Sequence, residues 1–72
     1  MKMDWIETPE SSNIARFAYD EGSYVLKIEF KSGGLYDYFD VPKHVFEGMQ
    51  SAPSKGQYLA QQIKGTYRYA RA

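Results

Sequence analysis

Near the end of the chain, cations and rings alternate: Lys55, Tyr58, Lys64, Tyr67, Arg68, Tyr69 and Arg71. Ammonium and guanidinium groups neutralise phosphates and an aromatic face stacks on a base, so this mixture suits a surface that holds a phosphate backbone together with its bases. Lys55, Lys64, Tyr67, Arg68, Tyr69 and Arg71 are therefore the candidate nucleic-acid-binding residues. So few cations give only modest, salt-sensitive affinity. Backbone N–H groups at Ser54 to Gln57 could add an anion site, with Gly56 permitting close approach. The competing reading is a solvated helix face and a tail that contacts another polypeptide.

A second aromatic pair lies in "LYDYFDVP", residues 35–42. Tyr36 and Tyr38 on an open sheet face would stack bases. On a face covered by helices they are core, with hydroxyls reaching a partner at the edge, and that structural role is the expected one for Tyr36, Tyr38, Val41 and Pro42. Asp37 with Asp40, and Asp20 with Glu21, are the carboxylate pairs that a hydrolase or Mg²⁺ site would use. Each lies at a turn or strand end, where acids cap or solubilise, so neither catalysis nor a metal site is expected. His44, the lone imidazole, has neither a nucleophile nor a second ligand of recognisable context beside it. No cofactor is implied.

The elements that position these residues follow from side-chain period. "NIARFAYD" places Ala15, Phe17 and Tyr19 on one side. "YVLKIEF" does the same with Tyr24, Leu26, Ile28 and Phe30, leaving Lys27 and Glu29 on the other. The turn "DEGS" joins them as a hairpin that pairs Phe17 with Leu26 or a neighbour of equal parity. The next loop decides which way the third strand faces, because a one-residue slip turns every side chain over. A three-residue loop, "KSG" with Gly33 left-handed, puts Tyr36 opposite Ile28 and Tyr38 opposite Leu26 and keeps Asp37 in solvent near Lys27. Ile14, Val25, Leu35 and Phe39 then form a mixed second face.

"DVPKHVFEGMQSA" begins as a helix capped by Asp40, with Val45, Phe46 and Met49 on one side and Gly48 weakening it. "SKGQYLAQQIKG" starts a second, with Ser54 and Gln57 as a capping box, Leu59 and Ile63 as the buried stripe and Gly65 as the stop. The tail "TYRYARA" alternates as an extended segment that can join a sheet edge. The expected fold is thus α+β: a three-stranded antiparallel meander followed by two short helices on one face, with residues 1–12 an extended arm whose Trp5 docks on the body and residues 13–72 the domain.

Composition agrees with a small binding domain. At 72 residues with no cysteine the chain has no disulfide or thiolate metal site, and Trp5, seven Tyr and four Phe must build the core instead. It lacks an apolar run for a membrane span or a signal peptide, so a soluble, cytoplasmic protein is expected. The net charge of zero hides an asymmetry. Residues 1–40 hold four basic and eight acidic side chains, and residues 41–72 hold five and one. A local basic surface still attracts phosphate within a Debye length of ~8–10 Å. The same asymmetry and the open sheet edges favour contacts between copies, so a homodimer or protein-interaction module is the alternative.

The order "SSNI" (11–14), "YD" (19–20), "YDYFDVP" (36–42), "SKGQYLAQQIKG" (54–65) and "YRY" (67–69) resembles the KTSC domain, a small bacterial domain also found at the C-terminus of some lysyl-tRNA synthetases. The resemblance covers residues 11 to about 70. It implies no established activity, only an RNA-binding proposal, with tRNA or a single strand as the ligand, that leans on the synthetase association; with no synthetase expected on this chain, any tRNA-related role would be supplied by another protein.

Overall fold

The computed structural model describes residues 4–72. Its centre is the expected meander: β2 (Ile14–Asp20), β3 (Val25–Phe30) and β4 (Leu35–Tyr38), all antiparallel. Phe17 sits opposite Ile28 and Tyr19 opposite Leu26, while Leu26 faces Tyr38 and Ile28 faces Tyr36. That register needs the three-residue loop Lys31 to Gly33. Gly33 has φ +104°, and Phe30 N–H donates to the Gly34 carbonyl at 2.8 Å to close it. On the opposite face Lys27 meets Asp37 at 2.9 Å, as the parity argument requires.

The sheet has five strands rather than three. β1 (Ile6–Glu7), inside the segment expected to be an arm, pairs with β2, Ile6 opposite Phe17. Trp5 docks on the outer face under the Arg16 guanidinium, 4.5 Å from the ring centroid. β5 (Tyr69–Arg71) pairs with the far edge of β4. A two-residue strand is too short to show a period, so β1 is invisible to alternation, whereas β5 follows the alternation of the tail.

Two side chains lie elsewhere than alternation places them. A bulge between Ile14 and Arg16 inserts Ala15, which brings Ile14 onto the core face, fully buried, instead of the second face. Tyr24 belongs to the turn, not to the strand: its φ is +59° and it is exposed. Such a conformation costs a non-glycine residue ~1–3 kcal/mol. Part is offset because the Tyr24 carbonyl accepts from Val41 N–H at 2.9 Å.

Between β4 and β5 the chain forms α1 (Lys43–Ser51) and α2 (Lys55–Tyr58), and a π-helical turn, Leu59–Ile63, continues α2. Val45, Met49, Leu59 and Ile63 are buried against Phe17, Leu26, Ile28 and Tyr38. Both helices therefore cover one face. Asp40 does not cap α1. It adopts φ +58° and turns its carboxylate to Arg68, and Pro42 holds the cap position without a side-chain bond. Of the expected capping box only one half forms, Ser54 Oγ accepting from Gln57 N–H at 3.3 Å. Gly48, a weak helix former, is required by packing: a Cβ there would lie 2.3 Å from the Tyr58 hydroxyl, which donates to the Val45 carbonyl. Among the described residues no helix is long and apolar enough to cross a membrane, and no group of three or more metal-ligating side chains gathers.

Candidate nucleic-acid interface

Cross-strand partners share a face, so the β4–β5 register decides what the sheet presents beyond the helices. Tyr36 lies opposite Arg71 and Tyr38 opposite Tyr69, all on the helix-bearing face. With Phe30 at the end of β3 these tyrosines form a continuous row of rings. Centroid separations are 5.6 Å for Phe30–Tyr36, 5.7 Å for Tyr36–Tyr69 and 5.6 Å for Tyr38–Tyr69. The row floors an open groove of about 530 Å³, and Lys64 and Gly65 form its helical wall.

The end of the second helix delivers Lys64 to that wall. Its N–H reaches back five residues to the Leu59 carbonyl at 2.8 Å, which widens the last turn, and Gly65 at φ +81° then sends the chain toward β5. The ammonium comes to 5.6 Å from the Phe30 centroid, a cation–π distance. Arg71 is exposed at the outer end of the row, opposite Tyr36. Arg68 points the other way. It stacks over Phe39 at 5.4 Å and pairs with Asp40 at 3.1 Å, both partners so exposed that water and salt screen the pair.

Of the residues singled out from sequence, the structure thus gathers Lys64 and Tyr69 at one groove, with Arg71 outside its lining on the edge strand opposite Tyr36 and Arg68 around the edge in a neighbouring, more open depression. Tyr67 is half-buried against the core. Lys55 is elsewhere: its ammonium donates to the Gln50 and Ala52 carbonyls at 3.0 and 2.7 Å, completing the C-terminus of α1. Gly56 serves packing, since a Cβ there would sit 2.5 Å from Asn13 Oδ1. Val41 is buried in the core, and Pro42 starts α1. Phe30, Tyr36 and Tyr38 floor the groove; the sequence reading weighs the two tyrosines between base stacking and core and expects core, and it places Phe30 only on the apolar side of its strand. Their parity with Tyr69 was the available signal.

Burial raises the Tyr38 phenol above its usual range, and the neighbouring Tyr69 and Tyr36 phenols push the same way; burial does likewise for Tyr19. Both phenols stay protonated at neutral pH and can donate. A raised folded-state pKa means the folded chain holds these protons more tightly, so their contribution is complete below about pH 10 and is lost as pH rises through the folded values. Urea midpoints should therefore fall above about pH 10, and Tyr38→Phe should flatten that fall.

Comparison with known proteins follows the same outline. The KTSC domain profile matches residues 10–67. The chain is 46% identical over 61 residues to the lysine–tRNA ligase of Nostoc punctiforme, a match that covers 85% of the chain but only 11% of the ligase. It is 38% identical to an uncharacterized protein of Stutzerimonas stutzeri, covering 86% of this chain and 89% of that one. The crystal structure of a KTSC domain protein from Yersinia pestis superposes with a TM-score of 0.92 over 99% of both chains, at 31% identity.

Proposed function

The chain belongs to the KTSC domain family, and we propose that it is a non-enzymatic, cytoplasmic binding domain for unpaired RNA, such as a single strand or the exposed loops and ends of tRNA. One observation carries this reading: a row of rings that floors an open groove at the edge of the helix-covered face, with Lys64 on its wall and Arg71 opposite Tyr36. Aromatic stacking contributes ~1–3 kcal/mol per base without demanding a sequence, and cations beside the rings meet the phosphates. Similarity to a segment of lysine–tRNA ligases supports the choice of RNA as ligand.

Two cations near the row, Lys64 and Arg71, predict a shallow salt dependence, with log K falling against log salt at a slope of about −1.4 for a single strand. The double substitution Lys64→Glu, Arg71→Glu should weaken binding of a labelled single-stranded RNA at least ~tenfold at low salt. Both side chains are exposed, so its thermal unfolding should match wild type. Fluorescence anisotropy reads the first effect and circular dichroism the second. Unchanged RNA affinity in the double variant would overturn the assignment. Absence of RNA binding together with concentration-dependent mass in sedimentation would favour the homodimer reading instead.

A further inference from the structure

Five of the seven tyrosines fall into two kinds. Tyr19 donates its hydroxyl to the Val41 carbonyl and Tyr58 donates to the Val45 carbonyl, so each ties the sheet or the second helix to the segment around α1. Tyr36, Tyr38 and Tyr69 donate to no protein group among the described residues, although Tyr38 is only 3% exposed. Among the described residues no buried side-chain nitrogen or oxygen lacks a partner, so the little surface that Tyr38 keeps includes its hydroxyl, and Tyr38 lines the groove. Filling the core at this position requires only a ring. Phe30, in the same row, does so without a hydroxyl.

Three phenols and the Lys64 ammonium therefore surround one groove, together with the Ser32 side chain. Protonated phenols and an ammonium are donors, and their natural complement is an acceptor-rich anion beside a flat, stackable body. The space, about 530 Å³, lies within the range of pockets that hold a small molecule and is too small for a duplex. From this we infer that Tyr36, Tyr38, Tyr69 and Lys64 form a seat for one nucleotide unit, its base stacked on the more exposed Tyr69 and Tyr36 rings and its phosphate held by the phenolic hydroxyls and the Lys64 ammonium. This rests on the RNA reading above and assigns a ligand role to the Tyr-x-Tyr pair that core packing alone does not give it. Arg71, opposite Tyr36 on the outer strand, meets the next phosphate of a connected chain.

The test is a titration of the full chain, followed by ring carbon–proton NMR of labelled tyrosines, with uridine and adenosine monophosphate, inorganic phosphate, a dinucleotide and a single-stranded 12-mer. Mononucleotides and longer RNA should shift the Tyr36, Tyr38 and Tyr69 rings saturably and leave Tyr19 and Tyr58 in place, and phosphate alone should not reproduce the ring shifts. Tyr38→Phe keeps the ring and should weaken mononucleotide binding about tenfold, because a hydrogen bond to a charged acceptor is lost. Tyr58→Phe should lower stability and leave affinity unchanged. If the 12-mer binds while the three rings stay still and Tyr38→Phe has no effect, the seat is overturned and the RNA reading survives. Mononucleotide binding without 12-mer binding supports the seat for a free nucleotide and overturns the RNA reading. Binding of neither overturns both.

Discussion

Replacing Phe17 by alanine should lower the unfolding free energy by about 3–5 kcal/mol, the usual cost of deleting a large buried ring. Phe17 is fully buried, faces Ile6 on one neighbouring strand and Ile28 on the other, and meets Phe46 of α1 edge-on with ring centroids 5.9 Å apart. It joins sheet and helix at the middle of the core. A domain of 72 residues has only about 4–11 kcal/mol of stability in total, so the variant should have a much reduced urea midpoint and a large unfolded fraction at 37 °C. Tyr19→Phe is the matched control. It keeps the ring stacked on Phe46 at 4.8 Å and loses only the hydroxyl bond to Val41, for about 1 kcal/mol. A loss below about 1 kcal/mol for Phe17→Ala would mean the site collapses around the cavity, and the core is not organised by this ring.

The meander was legible because several local demands agreed. Gly33 supplied the only cheap positive φ in its loop, Asp37 could not be buried unpaired, and both pointed to one register, the one observed. Tyr24 and Ile14 escaped for opposite reasons. A tyrosine at the end of a turn extends the apolar alternation of the strand it precedes, and only its backbone sign reveals that it does not belong there. The bulge at Ala15 reverses parity without a marker residue, since neither glycine nor proline accompanies it. The Asp40 cap failed because Asp40 sits two residues too early: Pro42 occupies the cap position, and the aspartate is committed to a left-handed turn.

The candidate site was half legible for a related reason. Lys64, Tyr69 and Arg71 follow from the helix stop at Gly65 and the alternation of the tail. Lys55 does not belong with them, because a lysine at the start of one helix can reach the free carbonyls at the end of the one before it, as it does to Gln50 and Ala52. The reading of Tyr36 and Tyr38 as core captured their burial. It did not connect them with the tail expected to join a sheet edge, which as β5 extends the covered face outward and leaves these rings at the boundary between core and groove.

The second large effect concerns the start of the chain. A protein beginning at Glu10, where the family match begins, should be about 3 kcal/mol less stable than the full chain, because the missing segment completes the bulge. The bulge shifts the β2–β3 register between Ile14 and Arg16, and the Ile14 and Ala15 carbonyls face Thr8. Thr8 satisfies both, its hydroxyl donating to Ile14 at 2.7 Å and its N–H to Ala15 at 3.1 Å, and it is 1% exposed. Ile6 adds apolar cover over Phe17, and Lys31 donates to the Pro9 carbonyl at 3.2 Å. Thr8→Val isolates the hydroxyl: it keeps the shape, leaves a buried carbonyl without its donor, and should cost about 1–3 kcal/mol by urea unfolding. RNA affinity should be unchanged in both proteins at temperatures where they remain folded, since β1 and β5 are opposite edges of the sheet. If the shortened chain is as stable as the full one, residues before Glu10 are an arm lying on a finished domain. If it is not, the domain begins at β1, and the bulge that carries Ile14 into the core depends on a residue outside the family match.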